Sequence, residues 1–216
     1  MKSKQLVANF AASAGRVVQA GVDVVELHAA HGDLPHQFLS PMTNSRNDEH
    51  SGSFENRIRL PLETFKAISA AIFQSIPPFL GLAQPTGWRT QNLRLELGWD
   101  LKSTVRITHL LPDIGVDLLD VTSDGNVRET SFTVFNDGNQ QAEIAATIKA
   151  AVKASGKNLL ISTVGEVTDA KQARDLLDQT LERPTADVMF VGRQVLKQPG
   201  WVLQAGIPRF EISHSD

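Results

Sequence analysis

The sequence predicts an α/β fold built on a parallel sheet, and three observations carry that reading. Amphipathic helical stretches alternate five times with short apolar runs along 216 residues, the order that parallel strands joined by right-handed crossovers require. Ala20-Gly21-Val22-Asp23-Val24-Val25-Glu26-Leu27 is repeated almost position for position by Ile114-Gly115-Val116-Asp117-Leu118-Leu119-Asp120-Val121. Glycines such as Gly21 and Gly156 stand where helices must stop before a strand begins.

The first helix is read over Gln5 to Ala20, where Leu6, Val7, Phe10, Ala14, Val17 and Val18 share one face. Val22 to Leu27 is the first strand, and it runs straight into two histidines three residues apart, His28 and His31. After a polar connection at 32–58 comes a helix from Leu60 to Phe73 with Pro61 in its first turn. Pro78 to Leu82 is the second strand, and residues 83–99 form a second long connection. A helix from Leu101 to Leu111 leads into the second Val-Asp strand, which ends at Val121. The helix Gln141 to Ala154 is followed by a strand from Asn158 to Ser162. The helix Asp169 to Leu181, capped by Thr168 or Asp169, is followed by a last strand from Ala186 to Val191. No linker or low-complexity tract divides the chain, so residues 1–216 are read as a single domain. Both long connections exceed the usual two to six residues and follow a strand's carboxyl end, where α/β proteins place their chemistry. A disordered insertion is the alternative for each.

Composition excludes several classes. Forty-one per cent hydrophobic residues suffice for one sizeable core. The net charge of −3, with lysines and arginines scattered rather than striped, argues against nucleic acid as a partner. There is no cysteine, which rules out disulfides and thiolate metal sites and fits a cytoplasmic protein. No apolar run of membrane-spanning length occurs. Met1-Lys2-Ser3-Lys4 leads into an amphipathic stretch rather than a signal peptide.

Two places can hold chemistry. The last two strands end in Val164-Gly165 and Gly192-Arg193. Glycine lets backbone N–H groups approach a phosphate, and an adjacent arginine adds a charge-assisted bond; ordinary strand-end turns are the alternative. His28 and His31 have three readings. They are a metal site with Glu26 or His36 as further ligands, although no three converging ligands are evident. They are a pair of donors for a substrate oxyanion. Or they are structural histidines with satisfied ring nitrogens.

His28-Ala29-Ala30-His31-Gly32, His36-Gln37-Phe38-Leu39-Ser40-Pro41, Asn44-Ser45-Arg46-Asn47-Asp48-Glu49 and Gly52-Ser53-Phe54-Glu55-Asn56-Arg57 occur in that order. Gly98-Trp99-Asp100-Leu101, Gly115-Val116-Asp117-Leu118-Leu119-Asp120-Val121-Thr122-Ser123 and Val191-Gly192-Arg193 with Pro199 and Trp201 follow. Together they resemble the old yellow enzyme family of FMN-dependent ene-reductases and NADPH dehydrogenases, over nearly the whole chain. The resemblance implies a TIM (β/α)8 barrel of which this chain holds about strands 4 to 8 with their helices. It implies FMN as cofactor, NADPH as hydride donor and a small-molecule activated alkene as substrate. His28 and His31 match the family's pair that binds the substrate's carbonyl or nitro oxygen. Gly165, Gly192 and Arg193 match its FMN-phosphate binders.

The chain departs from the family at three points. Asp33 stands where the family has its tyrosine proton donor, and the chain contains no tyrosine. A carboxyl group serves there only if burial raises its pKa; otherwise Asp33 is a loop acid. Gly81 stands where the family has an arginine that contacts the flavin, and neither Arg89 nor Arg94 is placed to replace it. The first three βα units of the barrel are absent. Five strands cannot close an eight-stranded barrel, so edges at Val22 to Leu27 and Ala186 to Val191 invite pairing with another chain. The expectation is a truncated product, a piece needing a partner, or an incomplete gene model. Two functions follow: an FMN-dependent ene-reductase with Asp33 at the donor position, or a catalytically silent remnant that binds a ligand or partner.

Overall fold

Strand pairing, not local hydrophobicity, decides where the strands of this chain begin. The computed structural model describes residues 3–72, 77–84, 98–123, 139–165 and 167–206. The strands are β1 (Val25–Ala29), β2 (Pro78–Gln84), β3 (Leu118–Ser123), β4 (Leu160–Val164) and β5 (Val188–Phe190). They form one parallel sheet in the order β1-β2-β3-β4-β5, so the α/β architecture is as expected, with β1 and β5 at its edges. β1, β3 and β4 each start two or three residues later than the sequence suggests. Val116 shows why: its N–H bonds back to the Leu111 carbonyl at 3.1 Å, closing the turn that leaves the helix. The chain becomes strand only at Leu118.

Alternation along these strands separates two layers. Leu27, Leu80, Leu119 and Ile161 form one register row, and Ala29, Leu82, Val121 and Thr163 another. All eight are buried. The first row packs in one core with Phe65, Ile68, Ile107, Ile144 and Ile148 from the helices; each buried aliphatic side chain contributes about 2 kcal/mol. The rows between point the other way. His28, Gly81, Asp120 and Ser162 lie side by side on that second face.

The stagger of the strands carries a barrel's signature. By the internal repeat, Asp120 is the counterpart of Glu26. In the sheet, however, Asp120 lies level with His28, two residues further along and two strands away. One residue of stagger per strand is the shear of an eight-stranded (β/α)8 barrel.

The helices are α1 (Ser3–Gln19), α2 (Leu34–Leu39), α3 (Phe54–Ile72), α4 (Leu101–Thr108), α5 (Asn139–Ala154), α6 (Ala170–Leu177), α7 (Arg193–Lys197) and α8 (Trp201–Gly206). Two corrections concern residues 32–58. α3 begins six residues before Leu60, because Ser53 opens it: Ser53 Oγ accepts from the Asn56 N–H at 3.3 Å. Pro61 therefore lies inside the helix rather than in its first turn. The remaining connection is no disordered insertion. It carries α2, started by Pro35, and a turn tied by Asn44, whose Nδ2 donates to the carbonyls of Phe38 (2.8 Å) and His50 (2.7 Å). Arg57 Nε donates to the Leu39 carbonyl at 2.8 Å and closes the loop from the helix side. Asn44→Ala is expected to cost about 2 kcal/mol, since it strands two buried acceptors; urea unfolding measures it, and a loss under about 0.5 kcal/mol would contradict this account. In the second long connection, residues 85–97 lie outside the described residues, as do Arg89 and Arg94.

Candidate active site

Both sequence-derived groups lie at the carboxyl edge of the sheet. His28 leaves the end of β1. Two residues later the chain folds back on itself, with His31 at φ +52°, a left-handed backbone that is uncommon outside glycine and costs about 1 kcal/mol. The strain brings the two imidazoles together. Their rings stack with centroids 4.9 Å apart, and His28 Nε2 lies 2.9 Å from His31 Nδ1. Glu26, on the same side of β1, reaches His28 Nδ1 at 3.2 Å. Thr122 Oγ1, from β3, lies 3.2 Å from His31 Nε2. Each ring therefore has both nitrogens engaged.

The partners fix the proton positions. A carboxylate only accepts, so His28 Nδ1 carries hydrogen toward Glu26. This hydrogen bond holds His28 above the usual histidine pKa; burial opposes it, and the charges of Glu26, Asp33 and Asp120 add to it. Asp120 is 7% exposed and receives the Ser162 hydroxyl. Burial pushes its carboxyl upward, the Ser162 bond pulls down, and the Glu26 charge pushes up again.

Gly81 lies between the two acids. A Cβ there would collide with the Glu26 carboxylate and touch His28 Nδ1 at 3.4 Å. The space that a side chain at this position would take is thus filled by the Glu26–His28 pair. A carboxylate with a histidine stands where the resemblance implies an arginine.

The second group lies toward the opposite edge. β4 and β5 pair through Val164 and Phe190, so Gly165 and Gly192 follow neighbouring strand ends. Gly165 adopts φ +127°, a conformation closed to other residues, and a Cβ on it would run into the Gln141 amide at the start of α5. Gly192 precedes the short helix α7, and Arg193 is exposed at its first position. Measured along the sheet, this group stands three to four strand spacings from β1, about 14–19 Å.

Asp33 is the N-cap residue of α2 without a side-chain capping bond. Its carboxyl is 65% exposed and approaches His28 Nε2 only to 3.8 Å. His36 serves the loop instead, its Nδ1 accepting from the Gly32 N–H at 3.0 Å. Among the described residues no three His, Asp or Glu side chains are grouped to hold a metal ion, and no helix is long and apolar enough to cross a membrane.

Sequence reading missed Asp120, Ser162, Thr122 and Gln141 as parts of this edge. The internal repeat was the available signal, because it pairs Glu26 with Asp120 and His28 with Thr122.

Comparison with known proteins agrees with this geometry. A family model described as the NADH:flavin oxidoreductase / NADH oxidase family matches residues 2–209. An NADH:flavin oxidoreductase of Gibberella zeae is 36% identical over 203 residues, covering 92% of this chain and 47% of that protein. The NADPH dehydrogenase of Bacillus subtilis is 31% identical over 198 residues, covering 92% of this chain and 52% of that protein. The chain thus spans about half the length of the curated relatives it matches. Among solved structures, histamine dehydrogenase from Rhizobium sp. 4-9 superposes with a TM-score of 0.74 at 23% identity, over 94% of this chain and 27% of that one. Morphinone reductase in complex with tetrahydroNAD gives 0.65 at 24% identity, over 95% and 50%. The sheet is accordingly part of a (β/α)8 barrel.

Proposed function

The chain belongs to the NADH:flavin oxidoreductase / NADH oxidase family, and from that membership we propose an FMN-dependent NAD(P)H oxidoreductase of the old yellow enzyme type that reduces an activated, enone-like alkene. One observation carries the reading: a histidine pair and a glycine–arginine pair open at the same carboxyl edge of one sheet, about four strand spacings apart. The residues at β4 and β5 fit the phosphate of FMN. Gly192 presents open backbone, Gly165 brings its backbone against the Gln141 amide, and exposed Arg193 supplies the cation. Gly81, Asp120 and Ser162 lie between that group and His28 on the same face of the sheet. Bound FMN would supply hydride. His28 and His31 would hold the substrate's oxygen and favour the negative charge that develops on it.

The test is a visible spectrum of the purified chain, followed by NADPH consumption with and without an enone. Bound yellow cofactor and enone-dependent oxidation are expected. Arg193→Ala is expected to weaken FMN binding by about tenfold or more, the value of one charge-assisted phosphate bond; titration of flavin fluorescence reads it. Equal affinity in the two proteins would remove Arg193 from the site.

A second reading is a catalytically silent remnant that binds a ligand or a partner through its exposed sheet edges. The Glu26 carboxylate over Gly81 and the exposure of Asp33 favour it. A colourless protein that consumes no NADPH after FMN is added would select this reading over the first.

A further inference from the structure

The hydrogen bonds Glu26–His28–His31–Thr122 run in series from β1 to β3. We propose that this hydrogen-bonded chain is a proton relay with its outlet at His31 Nε2, and that it protonates the substrate's oxygen in place of a donor at Asp33. The proposal rests on the ene-reductase reading above, names its proton source and narrows its contact: His31 Nε2 meets the substrate's oxygen, and His28, whose nitrogens engage Glu26 and His31, acts through His31.

The chain has two states that differ by one proton, and every hydrogen bond survives in both. In the charged state His28 carries hydrogen on both nitrogens. Nδ1–H donates to Glu26 and Nε2–H to His31 Nδ1, while His31 Nε2–H donates to the Thr122 hydroxyl oxygen. In the neutral state His28 Nε2 is bare and accepts from His31 Nδ1–H, and His31 Nε2 accepts from the Thr122 hydroxyl. Conversion requires one proton to leave His31 Nε2, one to cross from His28 Nε2 to His31 Nδ1, and the hydroxyl to rotate. Glu26 accepts from His28 Nδ1 throughout. It is a positioning residue that fixes the tautomer and favours the charged state.

A substrate oxygen that takes the place of Thr122 at His31 Nε2 receives the departing proton. The balance closes as follows. Bound FMN, reduced by NAD(P)H, would supply the hydride for the new C–H bond at the β-carbon. The alkene's π pair moves through the α-carbon to leave an enolate. The enolate oxygen takes the proton from His31 Nε2 and becomes an enol. The enol then becomes the carbonyl product by exchanging protons with water, which also supplies the α-hydrogen. Asp33 and Asp120 face the pair from α2 and β3 and, with Glu26, add negative charge around it. β2 contributes Gly81, with no side chain to compete. His28 therefore keeps its proton to higher pH than a solvated histidine would, the Glu26 hydrogen bond being the largest cause.

Two measurements test this on the full chain. The first is a histidine nitrogen NMR titration of the purified protein, which needs no flavin. His28 and His31 are expected to titrate together, and Glu26→Gln is expected to lower the His28 midpoint while circular dichroism stays unchanged. Thr122→Val, which deletes the outlet's partner, is expected to alter the His31 Nε2 signal. Independent titration of the two rings, or an unchanged His28 midpoint in Glu26→Gln, overturns the relay. The second is reduction of an α-substituted enone in deuterated water by FMN-loaded protein. Both configurations at the α-carbon are expected in equal amounts, and the basic limb of the pH profile should move to lower pH in Glu26→Gln. A single α-configuration overturns delivery to oxygen. A relay intact by NMR in a protein that reduces no enone refutes the enone as the proton's destination and fails the reductase reading, not the relay.

Discussion

Trp99→Ala is expected to lower the unfolding free energy by about 3–5 kcal/mol, the range for deleting a buried aromatic ring. Trp99 is 2% exposed, and two contacts converge on it. Its ring stacks on Phe54 with centroids 5.8 Å apart and planes 12° from parallel. Its Nε1 donates to Thr104 Oγ1 at 2.9 Å, which ties it to α4. On Phe54 itself the guanidinium of Arg106 lies 4.0 Å from the ring centroid, held by an ion pair with Glu55. Phe54 is the first residue of α3, so Trp99 joins the starts of two helices through one aromatic contact. Removing it leaves a cavity under both and frees the turn that enters α3. Trp99→Phe keeps the stacking and loses the indole donor, so its cost should be about 1 kcal/mol. Urea unfolding followed by circular dichroism reads both. A Trp99→Ala loss below about 1 kcal/mol would mean that this junction collapses around the gap or was never tight.

Asp187→Ala is expected to cost about 3 kcal/mol, because it leaves a poorly exposed lysine without its counter-charge. Lys149 of α5 pairs with Asp187 and also donates to Gln179 Oε1 at 2.8 Å. The second oxygen, Asp187 Oδ2, accepts from the Ile161 N–H at 2.9 Å, and the Asp187 N–H returns to the Ile161 carbonyl at 2.7 Å. One side chain thus fastens the start of β5 to both β4 and α5. β5 is only three residues long, so little else secures it. Its loss should also displace Gly192 and Arg193, which follow directly, and FMN affinity should fall along with stability. Asp187→Asn retains an acceptor for the Ile161 N–H and should fall between the two. Hydrogen exchange of the β4 and β5 amides separates local fraying from global unfolding. If those amides stay protected in Asp187→Ala, the pair is not what secures the edge.

The fold class was legible because helix and strand periods alternate cleanly, and because the Val-Asp repeat marks two equivalent strands. The ends of the strands were not. Val22 and Val116 look like strand residues, but β1 and β3 begin only at Val25 and Leu118, and Val116 bonds back to Leu111 in a turn. The start of α3 was hidden by Pro61, a common first-turn residue that here sits in the interior of a helix opened by Ser53. α2, α7 and α8 are five or six residues long, too short to show a helical period. At the site, the histidines and the glycine–arginine pair were readable because they are local in sequence. Thr122, Asp120 and Ser162 were not, since they reach the site through register with other strands. The contact of Glu26 with Gly81 could not be read at all, because it depends on a side chain folding over a neighbouring strand.

The His28–Gly81–Asp120–Ser162 row has one more consequence, and it concerns what kinds of genetic change the site can absorb. Neighbouring residues on each strand face opposite layers, so the row and the leucine layer beneath it are locked in phase. A substitution alters one position of the row and leaves its neighbours where they were. A single-residue insertion or deletion in β1 would turn His28 into the helix layer and Leu27 onto the reactive face, losing the core and the chemistry together. The row can therefore change one letter at a time, while the spacing of its letters stays fixed.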